Sequence, residues 1–143
     1  MTKPHLEVAI ALIEEKGKVL VARRHADVHA GGCWEFPGGK RHAGESFEAC
    51  LVRELREELG VEAAVGVPWT RIDYEYPEHT VTMQGFRCRI VQGDPKALAS
   101  QEIQWIPVAQ LRPEEFPTAN QESVRQLQRS MTQPVDRKNV ASH

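Results

Sequence analysis

The chain has 143 residues, 41% hydrophobic and 27% charged, which suits one compact domain with no internal repeat or low-complexity segment. A net charge of −2 excludes the basic excess expected of a protein that grips a nucleic-acid backbone, so no stable nucleic-acid binding is expected. No apolar run approaches the roughly 20 residues of a membrane helix, and residues 1–24 lack a secretory leader pattern. Cys33, Cys50 and Cys88 are odd in number and widely spaced, as in a cytoplasmic protein with reduced thiols, and give no disulfide framework or zinc pattern.

Taken in chain order, an apolar run at Leu6–Ile13 predicts a strand, Glu14–Lys18 a turn, and Val19–Ala22 a second strand. Arg23–Cys33 is a charged loop. It contains His25 and His29, whose spacing resembles a zinc pair but which find no matching third ligand. Trp34–Pro37 is a short extended piece, and Pro37-Gly38-Gly39 reads as a turn. Gly44-Glu45-Ser46 is a helix start signal, and Phe47, Leu51, Leu55 and Leu59 recur every fourth residue as the buried stripe of a helix that Gly60 stops. Val61–Val67, Trp69–Tyr76, Thr80–Val91 and Gln104–Val108 are further strands, and Ala119–Met131 a second helix. The order of strands and helices gives a mixed α/β domain over residues 1–131, followed by a polar, disordered tail at 132–143.

The first helix carries the chemistry. Glu54, Glu57 and Glu58 stand at i, i+3 and i+4, on one face. Their mutual repulsion costs roughly 0.2–0.5 kcal/mol per pair even on an open helix. Arg53 can meet Glu57 at i+4, but one guanidinium cannot neutralise three carboxylates. A hard divalent cation can, and it prefers such oxygens. Charge runs on helices are usually solvated faces. Here, however, the acidic arc borders the buried stripe instead of opposing it, where unpaired charge is costly. The glycines before the helix leave backbone carbonyls free to join such a site.

Gly39, Glu45, Arg53, Glu54, Leu55, Glu57, Glu58, Gly60 and Val61 fill every fixed place of the pattern G-x5-E-x7-R-E-U-x-E-E-x-G-U, where U is aliphatic. This resembles the signature of the Nudix hydrolases. Arg23–His29, Trp34–Lys40, Asp73–Glu78 and Phe116–Asn120 extend the likeness to the MutT-like branch, over about Leu6 to Met131.

The resemblance implies an α/β/α sandwich around a mixed sheet, with the motif as loop–helix–loop. It implies Mg²⁺, or Mn²⁺ in its place, held by Glu54, Glu57, Glu58 and the Gly38 carbonyl. It further implies hydrolysis of 8-oxo-dGTP to the monophosphate and pyrophosphate, an activity that sanitises the nucleotide pool. Arg53 would orient Glu54, Glu45 would steady the loop, and Glu54 or a loop glutamate would be the general base. Arg23 would meet phosphates, Phe36 and Tyr76 would pack around the base, and Asn120 would read the purine edge. Each has a plainer reading: Arg23 as a surface residue at a strand end, Phe36 and Tyr76 as core, Asn120 as a helix N-cap.

Two positions depart from the branch. Glu78 stands where it has an aspartate, and Ala99 where it has a further metal-binding glutamate, a role that Glu102 could take if the loop shifts register. Other Nudix substrates (CTP or dCTP, broad nucleoside triphosphates, ADP-ribose, diadenosine polyphosphates) and a non-catalytic nucleotide-sensing module are the alternatives. The implied partner is a small nucleotide, and the chain is expected as a monomer or homodimer.

Overall fold

The structure, a computed structural model, describes residues 3–27 and 31–131. His29 and the tail at 132–143 lie outside the described residues. Among the described residues there are seven strands: β1 (His5–Glu15), β2 (Lys18–Arg23), β3 (Trp34–Glu35), β4 (Gly38–Lys40), β5 (Glu62–Glu75), β6 (Thr80–Gln92) and β7 (Glu102–Pro107). Two α-helices accompany them among the described residues: α1 (Phe47–Leu59) and α2 (Thr118–Met131).

The sheet is mixed. Strand β1 runs parallel to β6 from His5↔Thr80 to Ile13↔Cys88, and antiparallel to β2 and β4. Strand β5 pairs with β6, and β7 pairs with β2. The turn between β1 and β2 is tighter than the sequence reading, because strand pairing continues to Glu15↔Lys18. Only Lys16 and Gly17 remain in it, both with positive φ, 54° and 79°. Two successive positive φ values give a hairpin turn whose twist matches its strands.

Alternation along β1 separates two cores. Ala9, Ala11 and Ile13 pack with Leu20, Phe86 and the α1 residues Cys50, Leu51, Leu55 and Leu59. Ile10 and Leu12 pack with Val19, Val21, Phe36, Phe116 and the α2 residues Val124 and Leu127. A helix on each side of a mixed sheet is the α/β/α arrangement that the Nudix resemblance implies.

The local rules hold for α1. Ser46 Oγ accepts from the Ala49 amide at 3.0 Å, and Gly60, at φ 72°, closes the helix with its amide on the Arg56 carbonyl. Pro37-Gly38-Gly39 is not the predicted turn. Pro37 is a bend, and Gly38–Lys40 is a strand paired with β1 through Ile10↔Gly38 and Ala9↔Gly39. The reason is steric: a β-carbon on Gly38 would fall on the Ala9 carbonyl oxygen, so the glycines permit close pairing where the sequence suggests a reversal. The two extended segments 61–67 and 69–76 are one strand, β5, with register shifts on either side of Pro68.

Candidate active site

A cavity of about 470 Å³ is lined by residues of β1, β4, β6, α1 and α2. One wall is acidic and glycine-rich, with Glu35, Gly38, Gly39, Glu54 and Glu58. The opposite wall is apolar and aromatic, with Leu6, Val8, Phe36, Tyr76, Val81 and Met83, and Asn120 and His79 are the polar groups on that side. Arg24 and Lys40 supply positive charge at the rim.

The acidic wall is built by the loop leading into α1. Arg53 donates through Nε to Glu45 at 2.6 Å and through Nη1 to Glu54 at 2.7 Å. It also reaches the Lys40 carbonyl at 3.1 Å and, at a longer 3.4 Å, Glu57. These partners raise the Arg53 pKa, and Arg53 in turn holds the Glu45 carboxyl down at about 2. Glu57 is largely exposed.

Glu58 is partly buried and accepts a hydrogen bond from the Gly38 amide at 2.9 Å. Burial, together with the charges of Glu35, Glu54 and Glu57, nevertheless pushes its pKa up to about 8. Among the described residues, no three His, Cys, Asp or Glu side chains converge tightly enough to hold a metal ion as they stand. Glu54 is turned to Arg53, and Glu58 to the Gly38 amide. The donor set still fits a divalent cation. Glu54, Glu57 and Glu58 are all oxygen donors, Glu54 and Glu57 share with Glu45 the single Arg53 guanidinium, and burial, together with the neighbouring carboxylates, already drives Glu58, which has no such cation, toward its neutral form.

On the aromatic wall, Phe36 is 2% exposed and meets Trp69 edge-on at 5.0 Å and Phe116 in a stack at 5.4 Å. It is both core and cavity lining. Tyr76 stacks on His79 at 4.9 Å, and its hydroxyl accepts from the Ala119 amide at 3.2 Å. Asn120 is not an N-cap. It lies within the first turn of α2, is 6% exposed, and directs its amide toward Met83 Sδ at 3.3 Å.

Other expected residues lie elsewhere. Arg23 ends β2 over the Trp34 ring, 4.4 Å from its centroid, and pairs with Glu102 across the ladder at 3.4 Å. Neither Arg23 nor Glu102 lines the cavity, and Glu78 is exposed outside it. Their neighbours do line it. Arg24, paired with Glu35 at 2.8 Å, stands at the rim in place of Arg23, and His79 in place of Glu78. The Tyr76 amide donates to the His79 carbonyl at 2.8 Å, closing a tight reversal that lays the imidazole on the phenol ring. The half-buried Glu35 that holds Arg24 lies 11 positions away, a pairing that no local spacing reveals. Nothing local marked His79.

A family model described as the NUDIX domain matches residues 8–126. The chain belongs to the Nudix family. The 8-oxo-dGTP diphosphatase of Escherichia coli (strain K12) is 32% identical over 125 residues, covering 87% of this chain and 97% of that protein. The CTP pyrophosphohydrolase of the same organism is 56% identical over 61 residues, 43% of this chain and 45% of that protein. Among solved structures, that of the E. coli ORF135 protein aligns with a TM-score of 0.77 at 30% identity, covering 91% of this chain and 93% of that one. A MutT protein from Methanosarcina mazei Go1 aligns at 0.79 and 24% identity, over 93% and 99%, and shares the fold. As a Nudix hydrolase the chain falls in a family that uses divalent metal ions and nucleotide substrates. Among its described residues no helix is long and apolar enough to cross a membrane.

Proposed function

We propose that the chain is a Mg²⁺-dependent nucleoside triphosphate pyrophosphohydrolase whose preferred substrate is 8-oxo-dGTP. The observation that carries this reading is the two-sided cavity: carboxylates and glycine backbone on one wall, an aromatic box with one buried amide on the other. A purine seated between Phe36 and Tyr76 would bring its edge to Asn120, and its phosphates would extend toward Glu54 and Glu58. Among the described residues the Asn120 amide nitrogen meets the Met83 thioether, a weak acceptor, so a base carbonyl is a better partner.

Glu54, Glu57 and Glu58, with the Gly38 carbonyl, would hold Mg²⁺ (or Mn²⁺). The bound ion would neutralise triphosphate charge and bring the attacking water closer to ionisation. Glu54, oriented by Arg53, takes the proton of that water as it attacks the β-phosphorus. The bond from the β-phosphorus to the α–β bridging oxygen breaks, and the nucleoside monophosphate and pyrophosphate leave. Glu102, tied to Arg23 outside the cavity, is the less suitable metal ligand. Free Cys33, Cys50 and Cys88 are in keeping with a cytoplasmic nucleotide-pool enzyme.

A second reading, a CTP pyrophosphohydrolase, draws on the 56% identity over 61 residues to the protein of that name. Pyrophosphate release with Mg²⁺ from 8-oxo-dGTP, dGTP, CTP, dCTP, ADP-ribose and diadenosine tetraphosphate separates the two. A kcat/KM highest for 8-oxo-dGTP supports the first. A pyrimidine-weighted profile overturns it in favour of the second.

A further inference from the structure

Arg41 lies outside the fixed positions of the Nudix pattern, yet it ties the motif loop to the central strand. Its amide donates to the Glu7 carbonyl at 2.8 Å, and Nη2 forms an ion pair with the Glu7 carboxylate on β1. Nη1 donates to the Glu45 carbonyl at 2.8 Å, and the guanidinium sits 5.6 Å from the Phe47 ring centroid at the start of α1. One planar cation thus joins three separate pieces: a sheet strand, the loop and the helix N-terminus.

The same loop residue continues outward. The Glu45 carboxylate binds Arg53, and Arg53 binds Glu54. The links run without a break from Glu7 through Arg41, Glu45 and Arg53 to Glu54. We propose that Arg41, anchored by Glu7, is a positioning residue for hydrolysis, acting through Glu45 and Arg53 to fix the orientation of Glu54. The inference rests on the reading of Glu54 as a working carboxylate. Glu7 is the fixed end, since it pairs with Thr82 within the nine-position parallel ladder of β1 on β6. Without Arg41, the Glu45 carbonyl loses its side-chain donor and the loop is free to shift, and a displacement of about an ångström at a reacting group can cost about 10²-fold.

The test is steady-state kinetics on Arg41→Ala, Glu45→Gln and the double variant, each checked for folding by circular dichroism. Losing such an outer partner typically costs about 10–100-fold, so Arg41→Ala should lower kcat by that factor and leave KM for the nucleotide within about twofold. Because Arg41 acts through Glu45, the double variant should be about as slow as Glu45→Gln alone. A kcat near wild type, or losses that multiply in the double variant, would overturn the proposal. If Arg41→Ala fails to fold, the isosteric Glu7→Gln enters the same cycle with the same criteria. If the wild type hydrolyses no nucleoside triphosphate, the functional reading has failed. The positioning claim is then decided by a crystal structure of Arg41→Ala (or of Glu7→Gln where that variant has replaced it), in which an unmoved Arg53–Glu54 pair overturns it and a displaced pair upholds it.

Discussion

Gly39 and Glu54 are packed so closely that a β-carbon on Gly39 would overlap Oε1 of Glu54, whereas one on Gly38 would strike the backbone of β1. The two adjacent glycines therefore have different failure modes. A carboxylate end can swing aside; a strand carbonyl cannot. Gly39→Ala should leave Tm nearly unchanged while kcat falls about 10²-fold through displacement of Glu54. Gly38→Ala should instead unfold the protein more easily, by about 1–3 kcal/mol from overpacking at a position with φ 153°. Thermal melts and kinetics on the pair distinguish the two.

Asn120→Ala removes the one buried amide on the aromatic wall. If the amide meets a purine edge, kcat/KM for 8-oxo-dGTP should fall about 10–100-fold, as expected for about 1–3 kcal/mol of lost hydrogen bonding. The value for CTP should stay within about threefold. Equal losses on both substrates would return Asn120 to a packing role against Met83.

Glu58 gives a signed pH dependence. Its folded pKa, about 8, lies above the ordinary carboxyl value of 4.5. The folded state therefore binds more protons than the unfolded state between those values, and stability falls as pH rises through that window. In EDTA, Tm should be lower at pH 8.5 than at pH 5.5, and Glu58→Gln should flatten the slope. Added Mg²⁺ should raise Tm most at the higher pH, where Glu58 is ionised and able to bind it. Scanning calorimetry with and without the ion reads all three.

Tyr76→Phe keeps the ring against His79 but deletes the acceptor for the Ala119 amide at the start of α2. The cost should be about 0.5–1.5 kcal/mol of stability, with KM for nucleotides changed by less than about twofold. A large KM effect would instead give the hydroxyl a direct part in binding.

The sequence displays most of α1: Leu51, Leu55 and Leu59 of its stripe, its Ser46 cap and its Gly60 stop follow from local spacing, although Cys50 is buried and Phe47 only partly so. It also displays most strands, because alternation and apolar runs are local signals. It does not display that Gly38–Lys40 would pair with β1, since glycine reads as a turn unless the opposing backbone is known. The same limit hides His79. Period-two alternation puts Glu78 beside Tyr76, but the reversal at 77–79 breaks the alternation and brings the next residue in. Arg24 takes the rim because β2 ends at Arg23, where the side chain folds over Trp34 instead. Glu7 and Arg41 are 34 positions apart, and no spacing rule links them.

The parallel ladder between β1 and β6 joins residues 75 apart along the chain. Everything needed for the acidic wall, from β1 through α1, lies inside that interval, whereas the aromatic wall draws on β6 and α2 beyond it. Loop closure makes such a long-range pairing slow relative to local hairpins and helices. The order of assembly follows: the helix and its loop can dock on the first hairpin as soon as these segments leave the ribosome, and the nucleoside half of the cleft closes last, once the distant strand has been made.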